Sequence, residues 1–172
     1  IIDHVQDAYM ITVMRRMMYR IAERFTHKKN ILCLINGESV GQVASQTLQS
    51  IKVVEAVTKI PVLRPLVTYD KLDIIKYAKE IDTYDISIRP FNDCCSVYLP
   101  KQPVTKPMEI YAKKYEEMVD FEPMIDEAVH GIYTLIIDEH KTINIMDFGL
   151  TMKEAIQYME EMSDADDHIQ AE

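Results

Sequence analysis

Two short apolar runs, each closed by turn residues and each followed by a helical period, constrain this chain more than any other feature. Ile31 to Ile35 ends at Asn36-Gly37, and Pro61-Val62-Leu63-Arg64-Pro65-Leu66 has its end fixed by Pro65. Runs of this length suit buried strands of a parallel sheet. After the first run, residues about 40–57 read as a helix with Val40, Val43, Ala44, Leu48 and Ile51 on one side. After the second, Thr68 is the expected cap of a helix through Ile81, with Leu72, Ile75 and Ile81 facing inward. Strand, helix, strand, helix is the order of an α/β fold with a parallel sheet and flanking helices. Such sheets bind ligands beyond the carboxyl ends of their strands, so the loops after Ile35 and Leu66 are the places to search.

Ahead of the first strand, Met10, Met14, Met17, Met18, Ile21 and Phe25 recur at three- and four-residue spacing. Residues about 9–27 are therefore expected to form an amphipathic helix whose methionine stripe is core. Arg16, Arg20 and Arg24 make one i, i+4 ridge on it, most simply a solvated face, while Arg15 points elsewhere, near the edge of the stripe. Residues 82–107 are irregular and punctuated by proline, and a helix is expected over about 108–119. Beyond it, Tyr133 to Asp138 is a possible strand, and Thr151 with Glu154 makes a capping box for a last helix.

Charge divides the chain. Residues 1–115 hold 17 Lys+Arg against 12 Asp+Glu, whereas residues 116–172 hold 2 against 16. A mildly basic body can meet phosphate; an acidic tail repels it. No apolar run approaches the ~18 residues that span a bilayer, and Asp3, His4, Gln6 and Asp7 break any leader-like start, so a cytoplasmic protein without a membrane partner is expected. Cys33, Cys94 and Cys95 are too few for a disulfide framework, and no Cys/His cluster suggests a metal site. Cys33, inside an apolar run, reads as core.

The loop after the first strand is Asn36-Gly37-Glu38-Ser39-Val40-Gly41-Gln42-Val43-Ala44-Ser45-Gln46-Thr47. Its glycines allow close backbone approach to a ligand, and the following helix start offers free N–H groups to an anion. Gln42 and Gln46, four apart, are expected on one helical face, where an amide can read a base edge or hold a phosphate oxygen. Gly37, Glu38, Gln42 and Gln46 are thus candidate binding residues. An ordinary strand–turn–helix with a polar surface accounts for the same spacing.

Several blocks in order make a more specific pattern. Gly37 through Thr47, Met14-Arg15-Arg16-Met17-Met18, Arg64-Pro65-Leu66, Tyr84-Asp85-Ile86-Ser87-Ile88-Arg89-Pro90, Asp93-Cys94-Cys95 and Phe121-Glu122-Pro123-Met124-Ile125-Asp126-Glu127-Ala128 together resemble the tRNA 4-thiouridine synthetase family, ThiI, over residues about 9–128. The resemblance implies the later portion of a PP-loop ATPase domain (an adenine nucleotide α-hydrolase-like fold) over residues 1–128, followed by an acidic helical tail over 129–172. It implies that ATP, with Mg2+, adenylates a tRNA uridine, that a persulfide sulfur then displaces AMP to leave 4-thiouridine, and that sulfur is also passed to thiamine's thiazole. Arg15, Gly37 and Gln46 match the family's ATP contacts, and Arg64 lies in its Arg-Pro-Leu block, beside nucleotide or RNA phosphate. Cys95 matches a cysteine that carries or resolves persulfide sulfur, with Cys94 as a substitute; two inert loop cysteines are the plainer account. The partners implied are tRNA, a persulfide-donating cysteine desulfurase and a second copy of the chain.

The chain also departs from the family pattern. The Ser-Gly-Gly-x-Asp-Ser loop that seats pyrophosphate is nowhere in these residues, nor is the tRNA-gripping THUMP domain, and Asp82 stands where a turn glycine is usual. The expectation is a portion of a larger enzyme, inactive alone, whose PP-loop half lies in the same or another chain. Two other readings stay open: a non-catalytic interaction or dimerisation module, and a different PP-loop enzyme that uses adenylate without sulfur.

Overall fold

The structure, a computed structural model, describes residues 4–89 and 102–132. All belong to one compact unit. Cys94, Cys95 and the expected strand and helix of the acidic tail lie outside the described residues.

A 3-10 turn over Asp7–Tyr9 leads into α1, Met10–Lys29. This helix ends because Asn30 turns left-handed (φ 53°) and its N–H closes on the Thr26 carbonyl, while His27, Lys28 and Lys29 complement the carboxyl-end dipole. Then come β1 (Leu34–Ile35), α2 (Leu48–Glu55), β2 (Val62–Leu63), α3 (Lys71–Glu80), a single turn α4 (Tyr84–Ser87), α5 (Glu109–Glu116) and α6 (Glu122–His130). The two strands pair in parallel, Leu34 opposite Val62 and Ile35 opposite Leu63, and the ladder extends through Leu34 N–H to Pro61 O (2.9 Å) and Asn36 N–H to Leu63 O (3.1 Å). The expected parallel α/β order is therefore present.

The core lies away from this small sheet, between α1 and the last two helices. Val13 and Met17 of α1 pack with Val5, Phe121, Ile125 and Val129. Burying a side chain such as Ile125 contributes about 1.5–3 kcal/mol. On another side of α1, α2 brings buried Ile51, Val53 and Val54.

The arginine ridge is not a solvated face. Arg16 is 1% exposed and grips Glu116 of α5 with two parallel bonds, Nε to Oε1 at 2.6 Å and Nη2 to Oε2 at 3.0 Å. Its remaining nitrogen, Nη1, donates to the Val53 carbonyl at 2.6 Å. Arg20 donates to the same carboxylate at 2.9 Å, and Arg24 reaches Glu122 and Asp126 of α6, each at 2.6 Å. Those hydrogen bonds, Glu122's first, raise the Arg24 pKa. A ridge at helical spacing looks solvated in sequence because its acidic partners lie about a hundred residues downstream.

Other expectations shift for local reasons. The stretch 40–57 is not one helix: Gly41 sits at φ 84° and Val43 is extended, so only a 3-10 turn (Ala44–Gln46) precedes α2. Thr47 caps α2, its hydroxyl accepting from Ser50 N–H at 3.1 Å. Val40, Val43 and Leu48 are consequently exposed, and Ile51 alone of the expected face is buried in described side chains. Asp70, not Thr68, caps α3, because its carboxylate takes two amide hydrogens, Leu72 N–H at 2.8 Å and Asp73 N–H at 2.9 Å. Leu72 (76% exposed) and Ile81 (67%) do not face inward. Met17 is core, but Met18 is exposed. The run from Ile31 pairs only at its last two residues and is not buried: Ile35 is 67% exposed. Parallel strands are buried when both edges and faces are covered, and among the described residues β1 has a partner on one edge. Cys33, just before it, is a half-buried free thiol, not core. Asp82 occupies its turn left-handed, φ 56°, the conformation that glycine adopts without cost.

Candidate functional site

Where both strands end, side chains from three elements converge on one carboxylate. Glu38, in the loop after β1, is only 7% exposed. One of its oxygens forms an ion pair with Arg15 of α1. The other, Oε2, accepts from Arg64 Nε at 2.8 Å and from Asn36 Nδ2 at 2.9 Å. Arg64 follows β2 directly, and its other nitrogens are also engaged: Nη1 pairs with Glu55 of α2 at 2.8 Å, and Nη2 donates to the Tyr19 hydroxyl at 3.2 Å. Tyr19 also accepts from Asn36 Nδ2 at 2.6 Å. Arg15 Nη1 donates to the Ser45 carbonyl at 2.6 Å, tying α1 to the loop that ends in Gln46. Two guanidinium charges thus meet two carboxylates, Glu38 and Glu55, and the cluster is close to neutral.

The loop itself is clasped by Gln46. Its side-chain carbonyl accepts from Ser39 N–H at 3.2 Å and its backbone carbonyl from Gly41 N–H at 3.0 Å, while Ser39 Oγ donates to the Tyr69 carbonyl at 2.6 Å. Gln42 does not share a face with Gln46, because the segment between them is a turn and not a helix; it stands exposed at the loop tip. The helix expected from about residue 40 likewise starts only at Leu48, with Thr47 already satisfying one of its free N–H groups.

Gly37 is exposed and does not have a left-handed φ, and a Cβ built there would meet nothing within 4 Å. Neither the turn nor packing requires a glycine at this point. Alongside, a cleft of about 350 Å³ opens between α1 and β1. Met18, Tyr19, Ala22, Leu34 and Ile35 give it apolar walls, and Arg15, Asn36 and Glu38 supply polar groups, a lining suited to a flat heterocycle carrying a charged appendage.

The structure therefore brings Arg15, Gly37, Glu38, Gln46 and Arg64 to one end of the sheet and leaves Gln42 apart. Sequence reasoning missed Tyr19, Asn36 and Glu55. Tyr19 alone had a signal, lying four residues after Arg15 on the same helical face.

Comparison with known proteins decides the family. A family model described as Thiamine biosynthesis protein (ThiI) matches residues 1–121, well over half the chain. The chain belongs to the ThiI family. Among ThiI-type relatives, a probable tRNA sulfurtransferase of Acholeplasma laidlawii (strain PG-8A) is 53% identical over 156 residues, which are 91% of this chain and 38% of that protein. The crystal structure of a 4-thiouridine synthetase–RNA complex with bound ATP aligns with a TM-score of 0.69 at 41% identity, over 74% of this chain and 33% of that one. The chain spans well under half the length of these relatives, and its fold is that of the matching third of the synthetase.

Proposed function

We propose that this chain is the later portion of the PP-loop domain of an ATP-dependent tRNA sulfurtransferase, and that the cleft beside Arg15 takes the nucleotide. The observation that carries the reading is the convergence of Arg15, Gly37 and Gln46, the three positions matching the family's ATP contacts, on a single loop at the strand ends. A glycine that its own chain does not need suits close approach of a ligand to the backbone. In this reading the uridine 4-oxygen attacks the α-phosphorus of ATP and pyrophosphate leaves; the terminal sulfur of a cysteine persulfide then displaces AMP, and a second cysteine thiol attacks the persulfide-bearing cysteine's sulfur, so that 4-thiouridine is released and a cysteine–cysteine disulfide remains. Sulfur for thiamine's thiazole, a cysteine desulfurase as persulfide donor, a cytoplasmic site of action and pairing of two copies belong to the same proposal. Among the described residues no helix is long and apolar enough to cross a membrane.

Mg2+ would travel with the triphosphate, as a cation bridging its phosphate oxygens. Among the described residues the second edge of β1 has no strand beside it, and with exposed Leu32 and Ile35 this favours a further parallel strand there, supplied by the PP-loop part of the domain. Cys95 would carry or resolve the sulfur, with Cys94 as its substitute.

Binding tests this reading directly. In an NMR titration of the 172-residue chain, ATP should saturate only in the millimolar range, about −4 kcal/mol. Adding a PP-loop-bearing portion of a relative should tighten it and permit 4-thiouridine formation. Micromolar affinity without that portion would refute the proposed division of the site. In the complemented enzyme, Cys95→Ser should abolish thiolation while adenylate transfer persists, and undiminished thiolation would remove Cys95 from the scheme.

A further inference from the structure

We infer that Glu38 is a positioning residue: its buried carboxylate, anchored by Arg64, fixes where the Arg15 guanidinium stands for a nucleotide phosphate. The inference rests on the ATP-binding reading above and adds a division of labour within the site. A carboxylate repels phosphate, so Glu38 is unsuited to be a phosphate ligand, and its acceptors are already committed. One oxygen faces Arg15, and the other takes bonds from Arg64 at 2.8 Å and Asn36 at 2.9 Å. Arg64 is equally committed. Its three nitrogens lie on Glu38, Glu55 and Tyr19, which belong to three different elements, and its side chain is 11% exposed. A guanidinium so held acts as a fixed post.

Arg15, unlike Arg64, lines the cleft, with its two fork nitrogens held by the Ser45 carbonyl and by Glu38. A guanidinium held in one orientation loses less entropy when it meets a phosphate. The chain of control therefore runs from Glu55 and Tyr19 through Arg64 to Glu38, and from Glu38 to Arg15. It also explains why two nearly buried arginines can coexist at the strand ends, since an uncompensated pair would be strongly unfavourable.

The test uses the 172-residue chain, with ATP and adenosine as probes in NMR titrations and thermal melts alongside. Glu38→Asp keeps the charge but withdraws the carboxylate by about one C–C bond, ~1.5 Å. We expect its ATP affinity to fall about tenfold, its adenosine affinity to stay within about twofold, and its Tm to move by no more than about 3 °C. Arg15→Met should erase the preference for ATP over adenosine, and Glu38→Asp should then have no further effect in that background. The doubly neutral variant Glu38→Gln/Arg64→Met guards against misfolding, because it removes one charge of each sign; it should fold and still lose the ATP preference. Equal loss of ATP and adenosine binding, an unchanged ATP preference in Glu38→Asp, or full additivity with Arg15→Met would each overturn the positioning role. Absence of saturable ATP binding in the unaltered chain would instead bring down the nucleotide reading, and this inference with it.

Discussion

Arg15 and Arg16 are neighbours on α1, yet one turns toward a cleft and the other is sealed in a helix seam. About 100° of helical rotation separates them. Arg16 meets Glu116 in a bidentate pair and the Val53 carbonyl behind it, so every nitrogen is spent on the chain and 1% of the residue remains exposed. Arg15 meets Glu38 and Ser45 at the rim of an open cleft. The difference shows that the basic stripe of this helix is two devices. One joins α1 to α5 and α6, and the other lines the cleft at the strand ends.

The seam should break most visibly. Glu116→Ala strands Arg16 as a buried, unpaired charge, and we expect a loss of about 3–5 kcal/mol in urea unfolding. The double change Arg16→Met/Glu116→Leu should recover most of it, because well-packed apolar side chains substitute well for buried ion pairs. A loss below about 1 kcal/mol for Glu116→Ala would show that the seam is solvated after all.

At the cleft the opposite pattern is expected. Gly37→Ala should leave stability unchanged or raise it by up to about 1 kcal/mol, since the added methyl meets open space and the unfolded chain loses freedom. ATP affinity should nevertheless fall about tenfold, or about 1.4 kcal/mol. Equal ATP binding by the two proteins, measured by calorimetry, would detach Gly37 from the site.

The seam itself can be graded. Arg24 is about one-third exposed and pairs with exposed Glu122 and Asp126, so Asp126→Ala should cost less than about 1 kcal/mol, and that cost should vanish in high salt. A salt-independent cost as large as that of Glu116→Ala would erase the distinction between the inner and outer ends of the ridge.

The smallest effect concerns pH. The Lys113 ammonium, hydrogen-bonded at 2.7 Å, holds the Glu109 carboxyl below its ordinary pKa. A depressed folded pKa contributes stability above the unfolded value of about 4.3, and that contribution fades as pH falls through the lower folded value. Because Glu109 is substantially exposed, Glu109→Gln should cost only about 0.2–0.5 kcal/mol at pH 7. The two unfolding midpoints should converge in acid; midpoints that stay apart there would assign the effect to lost packing.

Local signals in the sequence determined the order of elements. Runs closed by Asn36-Gly37 and by Pro65, with helical periods after them, sufficed for a parallel α/β arrangement, because turn chemistry and hydrophobic period act over a few residues. The family blocks likewise marked Arg15, Gly37, Glu38, Gln46 and Arg64, which meet at one end of the sheet. The chain alone did not reveal that Gln42 would part from Gln46. That followed from a left-handed Gly41 and an extended Val43, which interrupt a pattern that reads as helix. Nor could it distinguish Arg15 from Arg16 in role, or place Glu116 against the ridge. Those outcomes depend on which charges lie within about 3 Å after folding, and Arg16 and Glu116 stand 100 residues apart in sequence. Helical spacing defines the faces of a helix, but only packing decides which face meets water.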